Sequence, residues 1–280
     1  MKKLVIFDLD GTLVDSLEDL GAAVNYALAL RGLPQHTDDE YRRMVGHGVR
    51  NLVRQALERS LAAPEAGAVP ELGAASEVGA VSMAAIGAGD AAGSPAETGT
   101  VSDELISECL ADFKGYYSSH IDVHTRPYPG IPELLGELHR RGVLLAVATN
   151  KFQSGAEHIV HEFFPDIPFV AILGNRDGYP LKPSPEIVEE VLQRCTDREA
   201  PLRNAPSKLS REEAVLVGDS PTDMRTAHNG GIDSIAVSWG YRTREDLLGV
   251  LDSSATAAPS DNDRLSFPIV DSVSELGARL

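Results

Sequence analysis

The chain has 280 residues, 42% of them hydrophobic, with 25 basic against 42 acidic side chains and a formal net charge of −17. That length holds one large or two modest domains with a sizeable core. The diffuse acidity argues against nucleic acid and anionic membranes as partners, since both are bound by clustered basic groups, and an enzyme of anionic substrates would have to build its own local positive field.

Met1-Lys2-Lys3 before apolar residues has the outline of a signal peptide, but Asp8 and Asp10 break the run after four residues, too short for an h-region. Leu4–Phe7 reads instead as a first strand, followed at once by Asp8-Leu9-Asp10-Gly11-Thr12-Leu13. Buried strands seldom finish on two carboxylates, because unpaired buried charge is costly. Such an ending points to a bound cation, catalysis or both, and open parallel α/β sheets place their ligand sites at that end of the strands.

Helical spacing follows over Asp15–Arg31 (Leu17, Leu20, Val24, Ala27, Leu28), with a short helix at Asp38–Met44. Gly46-His47-Gly48 is a turn, and Val49–Leu61 a helix with Leu52, Val53, Ala56 and Leu57 inward. From 62 to 101 the composition changes: half the residues are Ala or Gly, and no Lys or Arg stands between Arg59 and Lys114. Three imperfect hexads, Pro64–Val69, Pro70–Ala75 and Ser76–Val81, lie in a row. A hexapeptide β-helix of three short turns could not bury a core alone, so a flexible low-complexity insertion is the reading adopted.

Ser102–Ser118 resumes as an amphipathic helix capped by Ser102 and Asp103. Beyond the rigid Pro127-Tyr128-Pro129-Gly130 connector, helices and strands alternate. Helices are expected at Ile131–Arg141, Ser154–Phe164, Pro185–Cys195, Thr222–Asn229, Arg244–Leu251 and Ser274–Leu280. Strands are expected at Val143–Ala148, Phe169–Leu173, Ala214–Val217, Ser234–Val237 and Ile269-Val270, with a polar loop over Asp252–Arg264. This alternation predicts an α/β fold, a Rossmann-like parallel sheet with helices on both faces. The helices gathered after the first strand predict an inserted all-α unit. The expected division is a core of residues 1–14 and 125–280 and a helical cap of 15–124 carrying the insertion at about 62–101. Cys109 and Cys195 are far apart and outside any C-x-x-C pair, which fits a reducing cytoplasm. No stretch approaches the roughly 18 apolar residues of a membrane span.

Four motifs sit just after expected strands or in the loops that follow them: Asp8-Leu9-Asp10-Gly11-Thr12, Thr149-Asn150-Lys151, Lys182-Pro183-Ser184-Pro185 and Gly218-Asp219-Ser220-Pro221-Thr222-Asp223. In this order they resemble the haloacid dehalogenase superfamily, and the resemblance covers nearly all of the chain outside the Ala/Gly insertion and residues 197–211. It implies Asp8 as a nucleophile giving an acyl phosphate, and Asp10 as the general acid and base. Asp8 and Asp219, with the backbone carbonyl of Asp10, would ligate Mg²⁺. Asp223 would act either as a ligand through water or as a partner of the ligands, the latter being preferred. Lys182 would place a fixed charge on Asp8 and the phosphate. The Thr149 hydroxyl and N–H groups near Leu9 and Asn150 would hold phosphate oxygens. Plainer readings exist, such as an Asp-rich turn, helix caps at Thr149-Asn150 and Asp219, and a surface lysine at 182. Four motifs in order outweigh them. Asp10 also separates phosphate esters from dehalogenation, which needs no proton donor to an alkoxide.

The resemblance further implies that the helical unit is a cap closing over the site. Within Val45–Leu52, two glycines flank His47, so backbone could approach a ligand closely, and Arg50 could pair with a substrate carboxylate. The plainer readings are a solvated turn and a solvated helix face. With Thr149-Asn150-Lys151 and Leu173-Gly174-Asn175, this region looks most like the phosphoglycolate phosphatase branch. The expectation is a Mg²⁺-dependent phosphomonoesterase of a small phosphorylated metabolite, cytoplasmic, monomeric or homodimeric, without nucleic acid or membrane partners. A phosphotransferase of the β-phosphoglucomutase type uses the same motifs. A non-catalytic phosphate- or Mg²⁺-binding regulatory protein is the alternative of another class, and it would have no need of Asp10.

Overall fold

The computed structural model describes residues 2–62, 101–199, 209–249 and 266–280. The expectations for the Ala/Gly insertion with its hexads, and for Asp252–Arg264, lie outside the described residues.

β1 (Leu4–Phe7) is wholly buried and pairs in parallel with β4 (Leu144–Phe152) on one side and β6 (Ala214–Gly218) on the other. Burial on both faces explains its unbroken apolar run, since a strand without a solvent face needs no alternation. β5 (Ala171–Asn175) lies beyond β4, while β7 (Asp233–Val237) and β8 (Ile269–Val270) lie beyond β6. The result is one parallel sheet of order β5-β4-β1-β6-β7-β8. Strand order reverses at β1, so the crevice at its carboxyl end is a switch point, the usual place for a ligand.

Alternate residues of the central strands feed two separate cores. Val5, Phe7, Leu145 and Val147 enter one, and Leu4, Ile6, Ala146 and Leu216 the other. Both faces are therefore covered, by α5 (Ile131–Arg140), α6 (Gln153–Phe163), α7 (Glu186–Glu199), α8 (Pro221–Asn229) and α9 (Val273–Arg279). A further helical stretch occupies 244–249. Two strands depart from expectation. β4 runs on through Thr149-Asn150-Lys151 to Phe152, so the second motif is the buried end of a strand. β5 begins at Ala171 rather than Phe169, because the Phe169 N–H turns back to the Ile167 carbonyl (2.9 Å) instead of joining the ladder.

Among the described residues, four helices come between β2 (Val14–Asp15) and β3 (Arg126–Pro127), which pair antiparallel. They are α1 (Leu17–Ala29), α2 (Asp38–Met44), α3 (Val49–Ala62) and α4 (Asp103–Tyr117), and they pack chiefly on one another. Beside this two-strand ribbon, the buried Asp19 carboxylate accepts the N–H groups of His124 (3.0 Å) and Thr125 (2.8 Å) and the Thr125 hydroxyl (2.7 Å). The first turn of α1 is thereby fastened to the returning chain. Asp19→Ala strips the buried Thr125 donors of this acceptor and is expected to lower stability by about 1–3 kcal/mol, read as a lower urea midpoint at unchanged slope, with Asp19→Asn falling between.

Candidate active site

The first motif turns sharply after β1. The Asp8 N–H continues the ladder to the Val217 carbonyl (2.9 Å), and the Leu13 and Val14 N–H groups return to the Leu9 carbonyl at 2.9 and 3.1 Å. Gly11 sits at φ +83°, and a Cβ there would lie 2.5 Å from Asp219 Oδ2. A Cβ on Gly240 would come within 2.6 Å of the same oxygen. Asp219, at the end of β6, is thus packed between two glycines that no larger residue could replace without moving it.

Asp8 and Asp219 are both buried, as is Asp223 in the first turn of α8. One ligand oxygen from each of the three lies within 4.8 Å of the others. Lys182 Nζ reaches Asp8 Oδ1 (2.9 Å), Asp223 Oδ1 (2.6 Å) and the Ala148 carbonyl (2.9 Å). Asp223 Oδ2 accepts the Ser220 hydroxyl (2.6 Å) and N–H (3.1 Å), so this carboxylate is engaged at both oxygens. Among the described residues, Asp219 accepts only the Tyr241 N–H (2.7 Å) and, at 3.4 Å, the Thr12 hydroxyl. It has no ion pair among the described residues. Burial pushes Asp219 up to about 8, aided by the charges of Asp223 and Asp8. Burial also raises Asp8, to about 6, against the pull of Lys182. Burial opposes the Lys182 ammonium, yet Asp223 and Asp8 outweigh it and hold the pKa above its ordinary value. Buried carboxylate oxygens in excess of the lysines beside them are a donor set suited to a hard divalent cation.

Asp10 faces other company. Its carboxylate accepts the Ser16 hydroxyl (2.6 Å) and lies 3.0 and 3.2 Å from Lys151 Nζ. Lys151 also donates to the Tyr117 hydroxyl (2.7 Å) on α4, and Ser16 is held by Tyr241. Burial works against the Lys151 charge, but Asp10 and Tyr117 raise its pKa overall.

Thr149 is buried and borders the cavity. The Asn150 side chain is spent on backbone: it donates to the Gly46 and Lys182 carbonyls (3.2 Å each) and accepts the Lys182 N–H (2.9 Å). The Leu9 N–H, expected near a phosphate, is taken by Asp8 Oδ1 at 2.7 Å. Two further expected ligands lie off the cavity wall. Arg50 pairs with Asp103 (2.7 Å) and Ser107 on α4 and is not part of the cavity wall, because the acidic first turn of α4 satisfies it. His47 lies 3.5 Å from the Thr222 hydroxyl and is likewise outside the wall. The cavity, about 640 Å³ including its open mouth, is bounded by Asp8, Asp10 and Asp219 on one side and mainly apolar residues of the helical unit on the other.

Sequence reading missed Lys151, Tyr117, Ser16, Tyr241 and Arg242. Lys151 was inside a named motif but carried no role. Arg242 donates to the Arg42, Arg43 and Val45 carbonyls and so ties the helical unit to the sheet, with no local pattern to announce it.

A buried carboxylate cluster at the switch point of a parallel sheet, backed by one lysine and covered by helices, defines an α/β enzyme with its site at the strand carboxyl ends. The model of the haloacid dehalogenase-like hydrolases matches residues 2–231, and the chain belongs to that family. The phosphoglycolate phosphatase of Rhodospirillum rubrum is 32% identical over 275 residues, 96% of this chain and 92% of that one. That of Mesorhizobium japonicum is 29% identical over 246 residues, 87% and 86% of the two chains. A crystal structure from Lactobacillus delbrueckii subsp. bulgaricus, provisionally assigned as a phosphoglycolate phosphatase, has a TM-score of 0.72 and 28% identity, covering 100% of this chain and 98% of its own. The chain is an enzyme of the phosphatase kind within its family.

The raised pKa values set a pH dependence. The folded state keeps protons on Asp8 and Asp219 that the unfolded chain, near 3.8, has released. Their favourable contribution is complete below about pH 4 and is lost as pH climbs through about 6 and then about 8. In chelator, the thermal midpoint is therefore expected to fall across that window. Asp219→Asn should remove the upper part of the fall, and Mg²⁺ should raise the midpoint more at pH 8 than at pH 5.

Proposed function

We propose that this protein is a Mg²⁺-dependent phosphomonoesterase that hydrolyses a small phosphorylated metabolite through a phosphorylated Asp8. The observation that carries the reading is the division between the two aspartates of one motif. Asp8 sits with Lys182 and Asp219, and Asp10 with Lys151 and Ser16. The relatives' name makes 2-phosphoglycolate the reference substrate.

Asp8, Asp219 and the Asp10 carbonyl would hold Mg²⁺, which supplies positive charge beside the phosphate oxygens. Asp223 belongs to Lys182 and Ser220 rather than to the ion, a reading supported by its two full sets of contacts. Lys182 and the Leu9 N–H both engage Asp8 Oδ1, which leaves Oδ2 to attack phosphorus. As the Asp8–phosphorus bond forms, the bond to the leaving alcohol breaks, and Asp10 gives that oxygen its proton. Asp10 then takes a proton from the water that attacks phosphorus, and Asp8 is released. Thr149 donates its hydroxyl to a phosphate oxygen, with the Asn150 N–H beside it; the Asn150 side chain instead braces the Lys182 loop. Lys151 and Ser16 fix the rotamer of Asp10 toward the leaving group, a use that binding alone would not require.

Residues 1–14 and 125–280 form the catalytic core in this reading, and 15–124 the cap. The Asn150–Gly46 and Arg242–Val45 hydrogen bonds support a cap seated on the core. His47 and Arg50 are not retained as substrate ligands. We place the enzyme in the cytoplasm, as a monomer or homodimer; Cys109 and Cys195, buried as thiols, support the compartment. No helix among the described residues is long and apolar enough to cross a membrane.

Phosphate release from p-nitrophenyl phosphate and from an alkyl phosphate is the test. Asp8→Asn is expected to abolish turnover and Asp10→Asn to lower kcat by about 10²–10⁴-fold. Full activity in excess chelator, or in Asp8→Asn, would contradict the mechanism. Lys151→Met is expected to lower kcat about 10²-fold through misplacement of Asp10, with KM little changed and partial recovery in Lys151→Arg.

A further inference from the structure

Resting on the phosphatase reading, we infer that the preferred ester releases an uncharged, largely apolar alcohol rather than a carboxylate-bearing one such as glycolate. The helical unit presents Leu20, Val45, Val49, Leu52 and Phe113 to the cavity, with Phe152 of β4 beside them.

A buried carboxylate needs a cation or several donors, and the two cations among the described wall residues, Lys151 and Arg242, both hold other partners. Lys151 is engaged by both oxygens of Asp10 and by Tyr117. The Arg242 guanidinium is bound to the carbonyls of Arg42, Arg43 and Val45. Arg50, the residue expected to take a substrate carboxylate, is paired with Asp103 outside the wall.

The wall also carries three carboxylates, Asp8, Asp10 and Asp219, against one lysine and one arginine. Mg²⁺ would offset Asp8 and Asp219, whereas the lysine beside Asp10 is already paired with it. The start of α3 borders the same space. Its backbone N–H groups suit a hydroxyl, and its positive end adds a partial charge with no side-chain cation of its own. The remaining surface is hydrocarbon and favours a ring or branched chain.

Benzyl phosphate and 2-phosphoglycolate both leave as alkoxides of ordinary alcohols, so their comparison reads recognition rather than leaving-group reactivity. With the full chain and excess Mg²⁺, kcat/KM for benzyl phosphate is expected to exceed that for 2-phosphoglycolate by at least about tenfold. Val49→Lys, which places a cation on the wall, is expected to shrink that ratio by raising the 2-phosphoglycolate value. Equal or greater kcat/KM for 2-phosphoglycolate in the natural chain would overturn the inference and leave the phosphatase reading standing. Turnover of p-nitrophenyl phosphate without turnover of benzyl phosphate would do the same. Hydrolysis of none of the three would overturn the phosphatase reading and this inference with it.

Discussion

Two buried aspartates from neighbouring strands, Asp8 after β1 and Asp219 after β6, stand close together, and Lys182 pairs with the first but not with the second. Lys182 divides its charge between Asp8 and Asp223, so the Asp219 carboxylate is left with two hydrogen bonds and no counter-ion among the described residues. Hydrophobic burial of the six-stranded sheet holds this arrangement in place, because β1 and β6 are locked in register along their whole length. A charge imbalance built into a rigid site is costly until something positive completes it. Gly11 and Gly240 then read as spatial necessities. Each clears the room in which Asp219 sits.

The same rigidity separates Asp10 from Asp8, although only one residue lies between them. The turn at Gly11 sends the chain into β2, and Ser16, at the head of α1, comes back to the Asp10 carboxylate. From the other side Lys151 arrives on the last residues of β4, anchored by the Tyr117 hydroxyl of α4. A residue of the sheet and a residue of the helical unit thus meet on the proposed proton donor. Displacing the helical unit would remove one of the partners that holds Lys151 in place. Asn150 and Arg242 make comparable ties at the Gly46 and Val45 carbonyls, so the apolar wall opposite the carboxylates is set by polar contacts at its edge.

Much of this was legible in the sequence where a feature is local. The unbroken apolar run of Leu4–Phe7, the acidic pair after it and the alternation of strands and helices led to a parallel α/β sheet and to the strand ends where the carboxylates gather. α2 matches its expected span at both ends, since its start is marked by Thr37 and Glu40 in a capping box. What was not legible depends on long-range contact. Lys151 meets Tyr117 across 34 positions, and Arg242 meets Val45 across 197. Arg50 shows the converse: a basic residue beside a glycine turn suggested a ligand, but its side chain found an acidic helix start instead. The end of β4 was set too early, because a polar Thr-Asn-Lys run looks like a loop until its burial is known.

The account stands on Asp8 as the group that accepts phosphorus while a divalent ion joins it to Asp219. A crystal structure grown with Mg²⁺ and beryllium fluoride, which mimics a phosphoryl group on a carboxylate, tests that claim most directly. The account predicts beryllium bonded to an oxygen of Asp8 and one Mg²⁺ shared by Asp8 and Asp219, with Asp223 still on Lys182. Beryllium on any other side chain, or Mg²⁺ bound away from these two aspartates, would contradict it.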